Sequence, residues 1–82
     1  MSDAQLRWQC RRGMQELDVL LTRFLEEQYD MAADTEKEAF RRLVELSDPE
    51  VSLYLLGGIT PPDSAMENIV ARMVSQARTG AG

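Results

Sequence analysis

The chain has 82 residues, with 9 Lys+Arg against 14 Asp+Glu for a net charge of −5, no histidine, one cysteine and 44% apolar residues. A chain this short hides only about 60% of its unfolded surface, which leaves one modest core and no deep substrate cavity. Lacking histidine, it lacks the commonest general base and metal ligand; the acidic balance argues against nucleic-acid binding, and Cys10 alone builds neither a disulfide framework nor a thiolate zinc site.

From the N-terminus, Asp3 to Arg12 carries Leu6 and Cys10 four residues apart with Trp8 between them, and runs into Arg11-Arg12-Gly13. Arginines suit a helix C-terminus, where carbonyls are unpaired and the dipole is negative, and glycine suits the left-handed residue that closes one. A first helix is therefore predicted to stop at Gly13. The second follows at once, with Met14, Leu17, Leu20, Leu21, Phe24 and Leu25 at the spacing of one buried face, and runs to about Tyr29. Residues 30–34 read as a connection.

Asp34 or Thr35 is predicted to cap a third helix, Thr35 and Glu38 forming a capping box, and Ala39, Phe40, Leu43, Val44 and Leu46 its buried stripe. Asp48-Pro49 starts a fourth, from Pro49 to about Leu56, because proline's missing N–H has no partner in a first turn anyway. Gly57-Gly58 ends it, and residues 57–62 (GGITPP) form a turn. A fifth helix carries Met66, Ile69, Val70, Met73, Val74 and Ala77, and the tail from Thr79 to Gly82 is expected to fray. With no repeats, low-complexity runs or strands, the expectation is an all-α fold, a compact bundle of about five short helices forming a single domain over residues 1–82.

No apolar stretch approaches the roughly 18 residues of a membrane span, and Met1-Ser2-Asp3-Ala4-Gln5 lacks the basic-then-apolar layout of a secretory signal. A soluble cytoplasmic protein, bacterial and without membrane insertion, is expected. The apolar stripes read as core, Cys10 as a small buried hydrophobe, and Glu26, Glu27, Asp30, Asp34, Glu36 and Glu38 as a solvated face.

One run stands apart. Residues 10–18 (CRRGMQELD) place two cations, a glycine and two carboxylates together in an acidic protein. On an ideal helix Glu16 and Asp18 lie about 160° apart, so they do not pair as acid and base on one substrate atom. One can point outward beside Arg11 or Arg12 while the other turns back to tie the second helix to its neighbour. The simplest chemical reading makes both carboxylates first-turn acids favoured by the helix dipole, and Gly13 a cap. Replacing Glu16 or Arg12 by Ala would then lower stability by about 0.3–1 kcal/mol each.

The run RRGMQELD, with Trp8 and Cys10 before it, resembles the RGMxELD signature of the SdhE/YgfY family of flavinylation factors, called succinate dehydrogenase assembly factor 2 in mitochondria. The likeness continues through Phe24, residues 27–30 (EQYD), Glu36-Lys37, Phe40, Leu43, Asp48-Pro49 and Tyr54-Leu55-Leu56-Gly57, to about Val74. It implies a five-helix assembly factor that is not itself an enzyme. Such a factor binds the flavoprotein subunit of succinate dehydrogenase, and of the related fumarate reductase, and promotes covalent attachment of FAD to a histidine of that subunit.

Carried over by position, the resemblance gives Arg12, Gly13 and Glu16 the strongest signature places, with Asp18 completing it and Trp8, Arg11 and Met14 flanking it. Leu53 and Tyr54 stand where the family usually has Trp or Phe. Gly13 lets a partner approach closely, Arg11 and Arg12 offer forked donors to carboxylates or to FAD phosphates, and Glu16 holds groups at the flavin site in place. A monomer that does not hold FAD tightly by itself is expected. The competing reading is a helical adaptor or antitoxin-like module with a different protein partner. A helix-turn-helix fits less well because the second and third helices are mainly acidic, and a flavin-binding protein proper would need a GxGxxG turn, which is missing.

Overall fold

The computed structural model describes the backbone of residues 3–80 and the side chains of residues 4–76. Five helices follow in order: α1 (Asp3–Gln9), α2 (Gln15–Glu27), α3 (Asp34–Glu45), α4 (Asp48–Leu55) and α5 (Ser64–Gly80), with a 3₁₀ turn at Tyr29–Met31 between α2 and α3. The all-α expectation holds, and no strand occurs among the described residues.

α2 exists because Leu17, Leu20, Leu21, Phe24 and Leu25 form one apolar stripe, and all five are buried. They meet Ala39, Phe40, Leu43 and Val44 of α3 and Met66, Ile69, Val70 and Met73 of α5 in a single core. Phe24 stacks on Phe40 with ring centroids 5.0 Å apart, and Tyr29 tilts against Phe40 at 5.6 Å. Tyr29 is thus drawn into the core from the 3₁₀ turn, its hydroxyl accepting from Arg41 Nη1 at 3.1 Å; this is why α2 stops at Glu27 and not at Tyr29. The longest seam, α3 against α5, is closed at its surface by the Glu36–Arg72 ion pair, by Asn68 donating to Glu36 (3.3 Å), and by Arg42 paired with Asp63 (3.2 Å). Glu36 therefore departs from the solvated face expected for it. Its carboxyl sits below the ordinary range because the Arg72 guanidinium hydrogen-bonds its charged form.

Several helix ends differ from their sequence signals. Ala33, which has no side-chain acceptor, precedes α3 in place of Asp34 or Thr35; the Glu36 carboxylate reaches back to the Ala33 N–H (3.3 Å), so only the returning half of a capping box operates. α4 is capped by Ser47, whose hydroxyl accepts from the Glu50 N–H (3.4 Å), and Asp48 is taken into the first turn ahead of Pro49. α4 ends where Gly57 comes so close that a Cβ would lie 2.9 Å from the Leu53 carbonyl oxygen. α5 opens on Asp63, whose carboxylate accepts from the Met66 N–H at 2.9 Å. In its stripe Val74 is partly buried and Ala77 lies outside the described side chains; of the expected tail, Ala81 and Gly82 lie outside the described residues.

The largest departure is at the first corner. α1 ends at Gln9, four residues before the expected stop at Gly13, with the Cys10 N–H still bonded to the Leu6 and Arg7 carbonyls (3.0 and 3.2 Å). Residues 11–14 then form an extended corner leading into α2.

Candidate functional site

The corner leaves the helical path because both ends of Arg12 are held elsewhere. Its backbone N–H donates to Asp18 Oδ1 at 2.8 Å. Its guanidinium donates to the Leu46 carbonyl (2.9 Å), the Val44 carbonyl and Asp48 Oδ1 (2.8 Å), while its Nε has no acceptor. Arg12 thus serves a helix C-terminus, as the sequence signal requires, but that of α3 and not its own. The same fork bridges to the first turn of α4, and the side chain is only 10% exposed. Arg12 therefore does not offer its fork outward as expected: three of its guanidinium N–H groups already donate within the chain.

Gly13 follows with φ +77°, the left-handed region that side chains disfavour, and an added Cβ would meet nothing within 4 Å. Its place is an open corner, not a helix cap, so what a substitution strains here is the backbone and not the packing. Met14, expected in the buried stripe of α2, is instead its N-cap residue and 37% exposed. The outward turn follows from the corner, which starts α2 at Gln15 and leaves Leu17 as its first buried residue.

Glu16 and Asp18 divide as their angular separation requires. Asp18 turns back to the Arg12 N–H, whereas Glu16 is exposed and makes no hydrogen bond or ion pair among the described residues. Glu16 also lines two adjoining hollows. One, of about 500 Å³, lies between α2, α4 and α5 against Val19, Leu20, Leu55, Leu56 and Val74; the other, of about 310 Å³, is lined by Met14, Leu17 and Leu56 as well. Val19 and Leu56 are 48% and 46% exposed, and sequence reasoning missed both. Val19 had a signal, since it falls off the buried stripe of α2, but Leu56 lay in an apolar run with no periodicity to separate its faces.

Arg11 is exposed over α2, beside Asp18, Val19 and Glu26, and forms no ion pair among the described residues. Trp8 is 77% exposed and borders a different hollow, with Arg11, Arg12, Leu46 and Asp48. The corner therefore leaves Gly13, Met14 and Glu16 exposed, Met14 and Glu16 lining one hollow, while Arg12 and Asp18 are tied inward and Trp8 borders another hollow. Cys10, fully buried under α1, has its thiol pushed up to about 11 by burial, which matches the inert role expected of it.

A family model described as "Flavinator of succinate dehydrogenase" matches residues 4–77. The chain belongs to this family. The FAD assembly factor SdhE of Shewanella oneidensis is 44% identical over 78 residues, covering 95% of this chain and 90% of that protein. Those of Coxiella burnetii and Yersinia pseudotuberculosis are each 41% identical over 73 residues, covering 89% of this chain and 89% and 83% of theirs. The flavinator match takes in residues of all five helices and the whole corner. Among the described residues no helix is long and apolar enough to cross a membrane, and no group of three or more Cys, Asp or Glu is placed to hold a metal ion.

Proposed function

We propose that this chain is a monomeric cytoplasmic assembly factor that binds the flavoprotein subunit of succinate dehydrogenase, and that of fumarate reductase where present, and promotes covalent attachment of FAD there without catalysing the reaction itself. The observation that carries the reading is the face of Gly13, Met14 and Glu16: an open left-handed corner, an exposed thioether and a carboxylate without an internal partner, held on the partly buried pin of Arg12 and Asp18. A bare corner lets a partner backbone come close. A carboxylate with no partner in its own chain can accept from a donor in the partner's flavin site and orient it, which is a positioning effect.

FAD belongs to the partner in this reading. A hollow of about 790 Å³ between α3 and α5 is lined by Glu36, Glu38, Asp63 and Glu67, and its Arg42 is already paired with Asp63. That charge repels a diphosphate. Arg11, exposed and unpaired among the described residues, is the cation of the signature that is free to meet a partner carboxylate or a phosphate.

The test is co-expression with a succinate dehydrogenase flavoprotein subunit in cells lacking any other such factor, scoring covalent flavin by in-gel fluorescence. The expected result is strong fluorescence of the subunit only when this chain is present, with calorimetry showing negligible binding of free FAD to the chain alone. Equal fluorescence without the chain contradicts the function; stoichiometric micromolar FAD binding turns the factor into a cofactor carrier.

A further inference from the structure

We infer that the apolar groove between α2, α4 and α5 is the second half of the partner interface, and that it takes a segment of the flavoprotein subunit presenting a bulky apolar side chain with a Lys or Arg beside it. The inference rests on the function proposed above and deepens it. Glu16 joins the two parts: it lines the groove of about 500 Å³ and also the smaller hollow that leads to Met14. Among the described residues it is the only charged one lining either. The walls are otherwise dominated by Val19, Leu20, Leu55, Leu56 and Val74, so the site reads as an apolar slot with one unpaired negative charge at its rim.

Size supports the join. A stable protein interface buries about 800 Å² on each side, and the whole chain exposes 5148 Å². The corner of three residues is too small to supply that area, and the groove is an apolar surface continuous with it through Met14 and Glu16. Val19 on α2 and Leu56 just past the end of α4, each nearly half exposed, gain apolar burial from being covered. Charge chooses the occupant: a carboxylate brought into an apolar contact needs a cation or a donor opposite it, and an acidic segment would be repelled.

The test measures binding of the full chain to purified flavoprotein subunit across a range of salt concentrations. Val19→Lys puts a cation where the partner's is expected, and should weaken binding about tenfold or more. Leu53→Lys makes the same charge change at a residue 52% exposed on α4 that lines neither hollow, and should stay within about twofold of the unaltered chain. Val19→Ser, which removes apolar contact without adding charge, should weaken binding by a smaller factor and supplies the answer if Val19→Lys melts early. Glu16→Gln should flatten the salt dependence.

Unaltered binding by the folded Val19 variants overturns the groove while leaving the function standing. Failure of the unaltered chain to bind the subunit removes both. A dimer in sedimentation that Val19→Lys splits, with subunit binding unchanged, gives the groove to a second copy of this chain and also overturns the inference.

Discussion

Within residues 12–18 two sets of residues do opposite work. Arg12 and Asp18 face inward: one guanidinium ties the corner to the end of α3 and the start of α4, and one carboxylate holds the backbone N–H of that same arginine. Gly13, Met14 and Glu16 face outward and touch little of their own chain. A motif that reads as one functional unit is thus a pin and a face. The pin explains why the face has a fixed geometry, and the two should fail differently when altered: the first in folding, the second in action on the partner.

The comparison is tested hardest at Arg12. Its side chain gives three donated bonds at 10% exposure, so Arg12→Ala should lower stability by about 3 kcal/mol and the melting temperature by about 12–24 °C. Arg12→Lys keeps the charge but not the planar fork and should recover only a small part. A calorimetric melt that barely moves for Arg12→Ala would return Arg12 to the surface. Next comes Asp18→Ala, which leaves the Arg12 N–H without its acceptor and should cost about 1–2 kcal/mol by urea unfolding. Asp18→Asn, still able to accept, should cost less.

Gly13 belongs to the face, and its conformation makes a smaller, separable contribution. Gly13→Ala should cost about 1 kcal/mol for the positive φ alone, and Gly13→Asn less, since Asn tolerates that region. Gly13→Arg should unfold in urea much like Gly13→Ala yet lose covalent flavin incorporation, because the open corner is filled. Full flavinylation by folded Gly13→Arg would remove the corner from the contact.

The α3–α5 seam gives a control outside the motif. Glu36 holds its proton less tightly in the folded chain than its ordinary value of 4.5. Its contribution to stability is therefore fully present above that value and is lost as pH falls through the lowered folded-state value. The stability gap between the unaltered chain and Glu36→Gln should be constant at neutral pH and close in acid, with flavinylation at neutral pH unchanged. A gap that persists in acid would deny the ion pair its role.

Much of this fold was legible because the apolar stripes of α2, α3 and α5 are long and strictly periodic, and their buried residues are the ones that spacing selects. The ends were less legible. The α1 stop was misplaced because Arg11-Arg12-Gly13 carries a true C-terminal signal that Arg12 delivers to α3, 32 residues away along the chain; local reading has no means of finding a carbonyl supplied by another helix. Ser47 outcompeted Asp48 as a cap and Ala33 displaced Asp34, shifts of one residue that propensity alone does not resolve. At the site, the opposition of Glu16 and Asp18 followed from helical angle, but which faced inward depended on the path of the corner. The groove was invisible in sequence because Leu56 and Val74 come from helices that only the tertiary fold sets beside α2.

Glu16 offers the most direct test of the division into pin and face, because its loss should be nearly silent in folding. Glu16→Ala, co-expressed with the flavoprotein subunit, is scored by covalent flavin fluorescence per folded molecule, with its melt run alongside. The account predicts a stability change of about 0.5 kcal/mol or less and a sharp fall in covalent flavin. Normal flavin incorporation by a folded Glu16→Ala chain would contradict it.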